Sequence, residues 1–272
     1  MEPIWESEIS RWTADLQALG RARGTIRTRH DHLVRLADWA GDIEPGAVTS
    51  GDLLAFLAAY PLWSQSYRRG IIASLRGWSK WGATQGRADI AAALPILSAP
   101  RPNPMPCPPD NYQRALDAAK PRERLMLHLA YDAGLRRMEI AKIHSDNLQQ
   151  DLTGWSLIVT GKGGHTRAVP LTDAIALELR ARFVEQGAGY AFPGARDGHL
   201  SAEYVGILLA RLLPGIWTAH KLRHSFATRA YSVNHDLFAV QQLLGHQNAN
   251  TTAMYVLVAE SDKRRITDAI AS

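Results

Sequence analysis

Apolar positions recur at helical spacing from residue 5 to residue 94. Leu16 and Leu19, then Leu33, Leu36 and Trp39, then Leu53, Leu54, Phe56 and Leu57 mark three amphipathic stretches. A fourth, "SYRRGIIASLRGWSKWG", sets Ile72, Leu75 and Trp78 on one side and Arg68, Arg69, Arg76 and Lys80 around the other. Residues 97–110, "LSAPRPNPMPCPPD", break this rhythm. Proline suits neither a helix interior nor a central strand, so an extended linker is predicted there, with Cys107 incidental within it. Helical spacing resumes in "NYQRALDAA", "RERLMLHLAYDAG" and "RRMEIAKI". In "WSLIVTGKGGHTRAVPL" the pattern changes: two β-rich segments, 155–160 and 166–171, flank a glycine-rich turn, which signals a hairpin. Helical spacing returns at Asp173 and continues to the end. The predicted organisation is a helical bundle over 1–96, a Pro-rich linker over 97–109 and a second domain over 110–272. The fold class is mainly α, with a small antiparallel β-sheet in the second domain.

Composition narrows this picture. With 46% hydrophobic residues in 272, the chain has ample material for folded cores. No apolar run is long enough to cross a bilayer, and "MEPIWESEISRW" is too acidic and interrupted for a secretory signal. One cysteine excludes an internal disulfide framework and a cysteine-held zinc or iron–sulfur centre, and a cytoplasmic location is expected. The net charge of +5 and the pI near 9.5 are compatible with a polyanionic partner. "GRARGTIRTRH" supplies Arg21, Arg23, Arg27 and Arg29. A helix starting near Thr25 would aim backbone N–H groups and these guanidiniums outward together, as phosphate contacts need; a solvated helix face is the alternative.

"TAHKLRHSFATRA", residues 218–230, carries Leu222, Phe226 and Ala230 at helical spacing, together with His220, Arg223 and His224. Ionised groups are rarely buried without a partner, so where the chain itself supplies none a bound group is expected to. His220 and Arg223, three apart, share a helix face, a cationic fork beside an imidazole that suits a phosphate. His220 and His224 lie four apart, as metal ligands can. The zinc-protease pattern, however, needs Glu where this chain has Lys221. In "AGLRRMEI", Arg136 follows a Gly-Leu break and Glu139 comes three positions later, placed either to hold Arg136 toward a ligand or to form a surface salt bridge. Lys162 sits at the predicted hairpin tip between glycines, either as a proton donor to a leaving oxygen or as an exposed turn lysine. "QQLLGHQNANTTAMY" puts His246 behind Gly245, a helix C-cap, and lets Thr251 or Thr252 cap a new helix carrying Tyr255.

In this order, with "YAFPG" between the hairpin and the histidine segment, these pieces resemble the tyrosine recombinases, or phage integrases, over residues 133–255. The resemblance implies that Arg136 and Arg223 clamp the non-bridging oxygens of a scissile DNA phosphate. His246 would add a hydrogen bond, His220 would relay the proton, and Lys162 would protonate the departing 5′ oxygen. Tyr255 would attack phosphorus and leave a 3′-phosphotyrosyl enzyme, with Glu139 supporting Arg136. A phenol has a pKa near 10, so only about one in a thousand is ionised at pH 7 and clustered cations are needed to favour the phenolate. Cationic side chains in these roles require neither divalent metal nor cofactor, and the covalent bond conserves the phosphodiester energy.

The resemblance extends to the first domain as a core-binding DNA module. It implies DNA contacts by Arg21, Arg23, Arg27, Arg29, Arg68, Arg69, Arg76 and Lys80. Arg137 and Met138 depart from the small or apolar residues usual after the first arginine, and local repacking is expected. With no room for an arm-binding module, the chain is expected to act on simple double-stranded core or attachment sites. The implied assembly is a homo-tetramer across two sites, working through a Holliday junction. A directionality factor is a further possible partner, and the tail after Tyr255 is expected to dock on a neighbouring protomer. Phage integration is the expected role. The alternatives are Xer-type chromosome-dimer or plasmid resolution, and a catalytically silent DNA-binding regulator of the same fold.

Overall fold

The computed structural model describes residues 2–98, 105–161, 164–187 and 189–245, and the chain divides into two compact units, Met1–Arg101 and Pro102–Ser272. In the first unit, α1 (Pro3–Ala18), α2 (Arg23–Ala40), α3 (Ser50–Ala58) and α4 (Gln65–Thr84) surround one apolar core. Trp5, Ile9, Trp12 and Leu16 repeat at helical spacing along α1 and meet Leu33, Leu36, Phe56, Leu75 and Trp78. Each such side chain, fully buried, contributes about 1.5–3 kcal/mol. The indole N–H groups of Trp5 and Trp78 donate to the Ile43 carbonyl and to Glu8, both at 2.9 Å. Leu19 and Leu54, expected on apolar faces, are 72% and 50% exposed. Leu19 lies past the end of α1, and Leu54 is one residue around the helix from buried Leu53.

The basic residues of this unit fall into two sets. Arg68 donates to the carbonyls of Leu57 and Tyr60 at 2.8 and 2.9 Å, capping the end of α3. Arg69 donates to the Leu97 carbonyl at 3.1 Å, and Arg76 donates to that of Leu94. The non-helical segment after α4 needs donors for its carbonyls, and these arginines supply them. The Arg68 and Arg76 guanidiniums therefore turn into the unit's own backbone, not outward as the sequence suggested, while Arg69 stays exposed and bonds to Leu97 at the surface. Arg21, Arg23, Arg27 and Lys80 are exposed, while half-buried Arg29 lies 5.8 Å over the Trp12 ring. Helix α2 starts two residues ahead of Thr25, and the Thr28 hydroxyl donates to the Gly24 carbonyl one turn back.

The second unit contains α5 (Pro109–Ala118), α6 (Pro121–Tyr131), α7 (Arg137–Ala141), α8 (Asp173–Gln186), α9 (Ala202–Leu212), α10 (Ala219–Asn234) and α11 (Leu237–Leu244). Helix α6 is central: Leu125, Met126, Leu127, Leu129 and Ala130 are all at most 2% exposed, and α8, α9 and α10 pack around it. The sheet is antiparallel, β1 (Leu148–Asp151), β2 (Gly154–Thr160) and β3 (Thr166–Leu171), in that order. The β2–β3 hairpin lies where the change of period predicted it. Strand β1, "LQQD", has one apolar residue and gives no alternation to detect. A two-residue ribbon, β4 (Pro193–Gly194) with β5 (Gly198–His199), is too short for any pattern.

The predicted linker is not extended throughout. Helix α5 starts inside it at Pro109, since a proline at the first helical position needs no N–H partner. Cys107, read as incidental, is 3% exposed. Its N–H donates to the Ser225 hydroxyl at 2.8 Å, and that hydroxyl donates back to the Cys107 carbonyl at 3.2 Å. The approach to α5 is thus clipped to α10. Burial pushes the Cys107 thiol up to about 11, so it stays protonated and inert at neutral pH. Among the described residues, no helix is long and apolar enough to cross a membrane.

Candidate active site

The site forms where the α6–α7 loop, the start of α10 and the end of α11 converge. Gly134 makes the convergence possible. Its φ is +63°, and a Cβ there would lie 2.4 Å from the Phe226 ring of α10. The Gly134 carbonyl accepts a hydrogen bond from the Arg223 guanidinium. Arg223 is only 2% exposed, donates also to the Leu244 carbonyl at 2.6 Å, and lies 3.7 Å from Glu139. The expectation that a bound group supplies its partner is therefore corrected: the chain itself solvates this guanidinium with two carbonyls and a carboxylate.

Arg136 occupies the N-cap of α7. Its backbone N–H donates to Glu139 Oε2 at 2.9 Å, as the third helical residue of a capping box accepts. Its side-chain Nη1 donates to Glu139 Oε1 at 2.8 Å, and Nη2 reaches the Gly245 carbonyl at 3.5 Å. About a third (34%) of the Arg136 side chain remains exposed while Glu139 is only 2% exposed, so the ion pair that the spacing suggested is made and its carboxylate is buried.

A third arginine, not singled out in the sequence, joins them. Arg167 Nη1 and Nη2 bind the two Glu139 oxygens at 2.8 and 2.9 Å, and its Nε donates to the Leu243 carbonyl at 2.9 Å. Arg167 alternates with Val169 and Leu171 on the inward side of β3. That alternation was the available signal, because a guanidinium on the inward side of a strand needs a partner. Consecutive carbonyls at the end of α11, those of Leu243, Leu244 and Gly245, thus face Arg167, Arg223 and Arg136 in turn. These are the groups a helix terminus leaves unsatisfied, and they carry the negative end of its dipole.

One carboxylate among three guanidiniums leaves a surplus of positive charge. Burial is the largest influence on Glu139 and acts to raise its pKa. It is outweighed by the hydrogen bonds and charge of Arg167, the Arg136 N–H and the charge of Arg223, so Glu139 sits at about 2. His220 keeps an exposed edge at the start of α10. Partial desolvation lowers its pKa, and Arg223, Arg137 and Arg136 lower it further, so the imidazole is neutral at pH 7. His224, its ring 4.6 Å from that of His220, is pushed down to about 4 by burial and then by His220, Arg223 and Lys221. Arg137 runs along α9 at Gly206, where a Cβ would meet it at 2.7 Å, and Met138 is 45% exposed. Among the described residues, no group of three or more His, Cys, Asp or Glu could hold a metal ion.

Lys162, His246 and Tyr255 lie outside the described residues. Lys162 and His246 each follow a described glycine: Gly161 donates to the His165 carbonyl at 2.8 Å. Gly245, directly before His246, closes α11 in the left-handed region at φ +63°.

A mainly helical unit with a three-stranded antiparallel sheet and a cluster of arginines is the architecture of the tyrosine recombinase catalytic domain. The protein is similar in fold to the XerH site-specific recombinase bound to palindromic difH substrate in a post-cleavage complex (TM-score 0.73, 19% identity, 91% of this chain and 80% of that one). It is similar also to a lambda integrase tetramer bound to a Holliday junction (TM-score 0.74, 18% identity, 93% and 77%). Residues 107–262 match the phage integrase family. Among its relatives, the tyrosine recombinase XerA of Thermococcus kodakarensis is 30% identical over 94% of this chain and 93% of that protein. The tyrosine recombinase XerC of Bradyrhizobium diazoefficiens is 32% identical over 83% and 77%. The chain belongs to the phage integrase family, the tyrosine site-specific recombinases.

Proposed function

We propose that this protein cuts and rejoins duplex DNA at specific core sites through a 3′-phosphotyrosyl bond to Tyr255. The observation that carries the reading is the trio of arginines around Glu139, whose surplus charge suits a phosphodiester. Arg136, with its exposed edge, binds the non-bridging oxygens, buried Arg223 adds its positive charge from behind, and His246 donates a further hydrogen bond. Neutral His220 takes the Tyr255 phenol proton. The phenolate oxygen forms a bond to phosphorus as the bond to the 5′ oxygen breaks, and Lys162 delivers a proton to that oxygen. Rejoining runs the same steps in reverse with a 5′ hydroxyl as nucleophile.

In this reading residues 1–96 form the core-binding domain, 97–109 the linker and 110–272 the catalytic domain with its tail. DNA phosphates are met by Arg21, Arg23, Arg27, Arg29 and Lys80, while Arg68, Arg69 and Arg76 brace the domain that presents them. Four copies assemble across two sites, as in the lambda integrase tetramer. The XerA and XerC relatives favour Xer-type resolution of chromosome dimers or plasmids over viral integration.

The test uses a nicked suicide duplex whose central sequence is selected from a randomised pool by covalent trapping on the wild-type protein. Incubated with EDTA, the wild type yields an SDS-resistant adduct, and Tyr255→Phe binds DNA without yielding one. An adduct that persists in Tyr255→Phe, or a wild type that traps no sequence at all, refutes the reading. The latter result favours a silent DNA-binding regulator.

A further inference from the structure

We propose that Arg167 is a positioning residue for strand cleavage, setting Glu139, and through it the Arg136 guanidinium, in register with the end of α11. The inference rests on the reading that Arg136 grips the scissile phosphate.

Arg167 and Arg136 share a carboxylate but divide its work. Arg167 spends Nε, Nη1 and Nη2 on Leu243 and Glu139, and its side chain is only 12% exposed. It faces the chain and has little surface left for a substrate. Arg136 spends one nitrogen on Glu139 and keeps much of its surface free. Glu139 Oε1 accepts from both guanidiniums at 2.8 Å, so the angle at which Arg136 leaves the carboxylate depends on the fork that fixes that carboxylate. A bidentate guanidinium fixes the plane of a carboxylate, which a point charge cannot do.

Arg167 also ties together the segments that bear the proposed catalytic groups. It stands on β3, five residues after Lys162 in sequence, and bonds to Leu243, three residues before His246. Its stem passes over Gly245, where a Cβ would sit 2.7 Å from Arg167 Cδ. Gly245 therefore both ends α11 and admits this side chain. Among the described residues, the charged groups facing Glu139 are Arg136 from its own segment, Arg167 from β3 and Arg223 from α10. Removing Arg167 leaves the other two to share one carboxylate with no fork to orient it.

The experiment measures single-turnover cleavage of the selected suicide duplex, over pH 5 to 9 and over DNA concentration, for full-length wild type, Arg167→Met and Arg167→Lys. Partners that orient metal ligands typically contribute about 10–100-fold, and the same scale is applied to a carboxylate that orients a guanidinium. At saturating DNA, Arg167→Met is expected to cleave about 100-fold more slowly, with half-saturation changed less than threefold. Its profile gains an acidic limb as Glu139 begins to titrate. Arg167→Lys restores the melting temperature but recovers at most a tenth of the rate, because charge alone does not orient. Wild-type rate with an unchanged pH profile in Arg167→Lys overturns the proposal, and this holds even if Arg167→Met fails to fold. So does a loss confined to half-saturation. A wild type that forms no adduct, or an Arg136→Ala variant that cleaves normally, overturns instead the reading beneath it and this proposal with it.

Discussion

Replacing Glu139 by glutamine keeps the side chain's shape and deletes its charge, leaving three guanidiniums around a neutral amide. The ionised carboxylate sits at about 2 against an ordinary 4.5, a difference of roughly 2.5 units at about 1.36 kcal/mol each. The folded chain thus favours the charged form by about 3 kcal/mol, with little screening because the side chain is 2% exposed. That figure agrees with the range of about 3–5 kcal/mol for breaking a buried ion pair from one side. Urea unfolding at pH 7 should show Glu139→Gln less stable than wild type by about 3 kcal/mol. Hydrogen exchange of the α7 and α10 amides assigns the loss to the second unit. The sign with pH follows from the depressed value: the contribution is fully present above pH 4.5 and is lost as pH falls toward 2. The gap between wild type and variant should therefore narrow between pH 5 and 3. A gap below about 1 kcal/mol at pH 7, or one indifferent to acid, would refute the role of this carboxylate as the hub of the cluster.

Gly134→Ala forces a Cβ against Phe226 at φ +63°, costing about 1–2 kcal/mol in backbone strain and about 1–3 in overpacking. Thermal melting should register the sum, and adding Phe226→Ala should relieve the packing part. His224, pushed down to about 4, adds stability that is complete above pH 6.5 and lost as pH falls toward 4. The 2.5-unit shift caps the effect at about 3 kcal/mol, roughly halved by solvent screening. Melting between pH 7 and 5 should slope in wild type and flatten in His224→Asn. On random-sequence duplex, Arg21→Ala, Arg23→Ala and Arg27→Ala should each reduce the salt slope of binding by about 0.9. Arg68→Met and Arg76→Met should instead lower the melting temperature and leave the slope alone, and the reverse pattern would exchange the two sets.

The sequence alone determined more of the local architecture than of the electrostatics. Helical spacing sufficed for Leu33 and Leu36 on α2 and for Ile72, Leu75 and Trp78 on α4, because a helix face repeats every three or four residues whatever it packs against. The β2–β3 hairpin and the Gly245 cap were legible for the same reason: period and glycine chemistry act over a few residues. Glu139 was legible as a support for Arg136 because three residues of separation in a first helical turn bring them together. Which arginine does what was not legible. Arg68, Arg76, Arg167 and Arg223 have the same side chain as Arg21 or Arg136. Only the folded chain decides whether a guanidinium meets a carbonyl, a carboxylate or solvent. Arg167 reaches Leu243 across 76 residues of sequence, and Arg223 reaches Gly134 across 89. Local pattern carries no information over such separations, since the partners meet only when burial of α6 closes the unit around them. Tertiary packing therefore decided the charge balance of the site, because the free energy of an ion depends on the groups that replace its water.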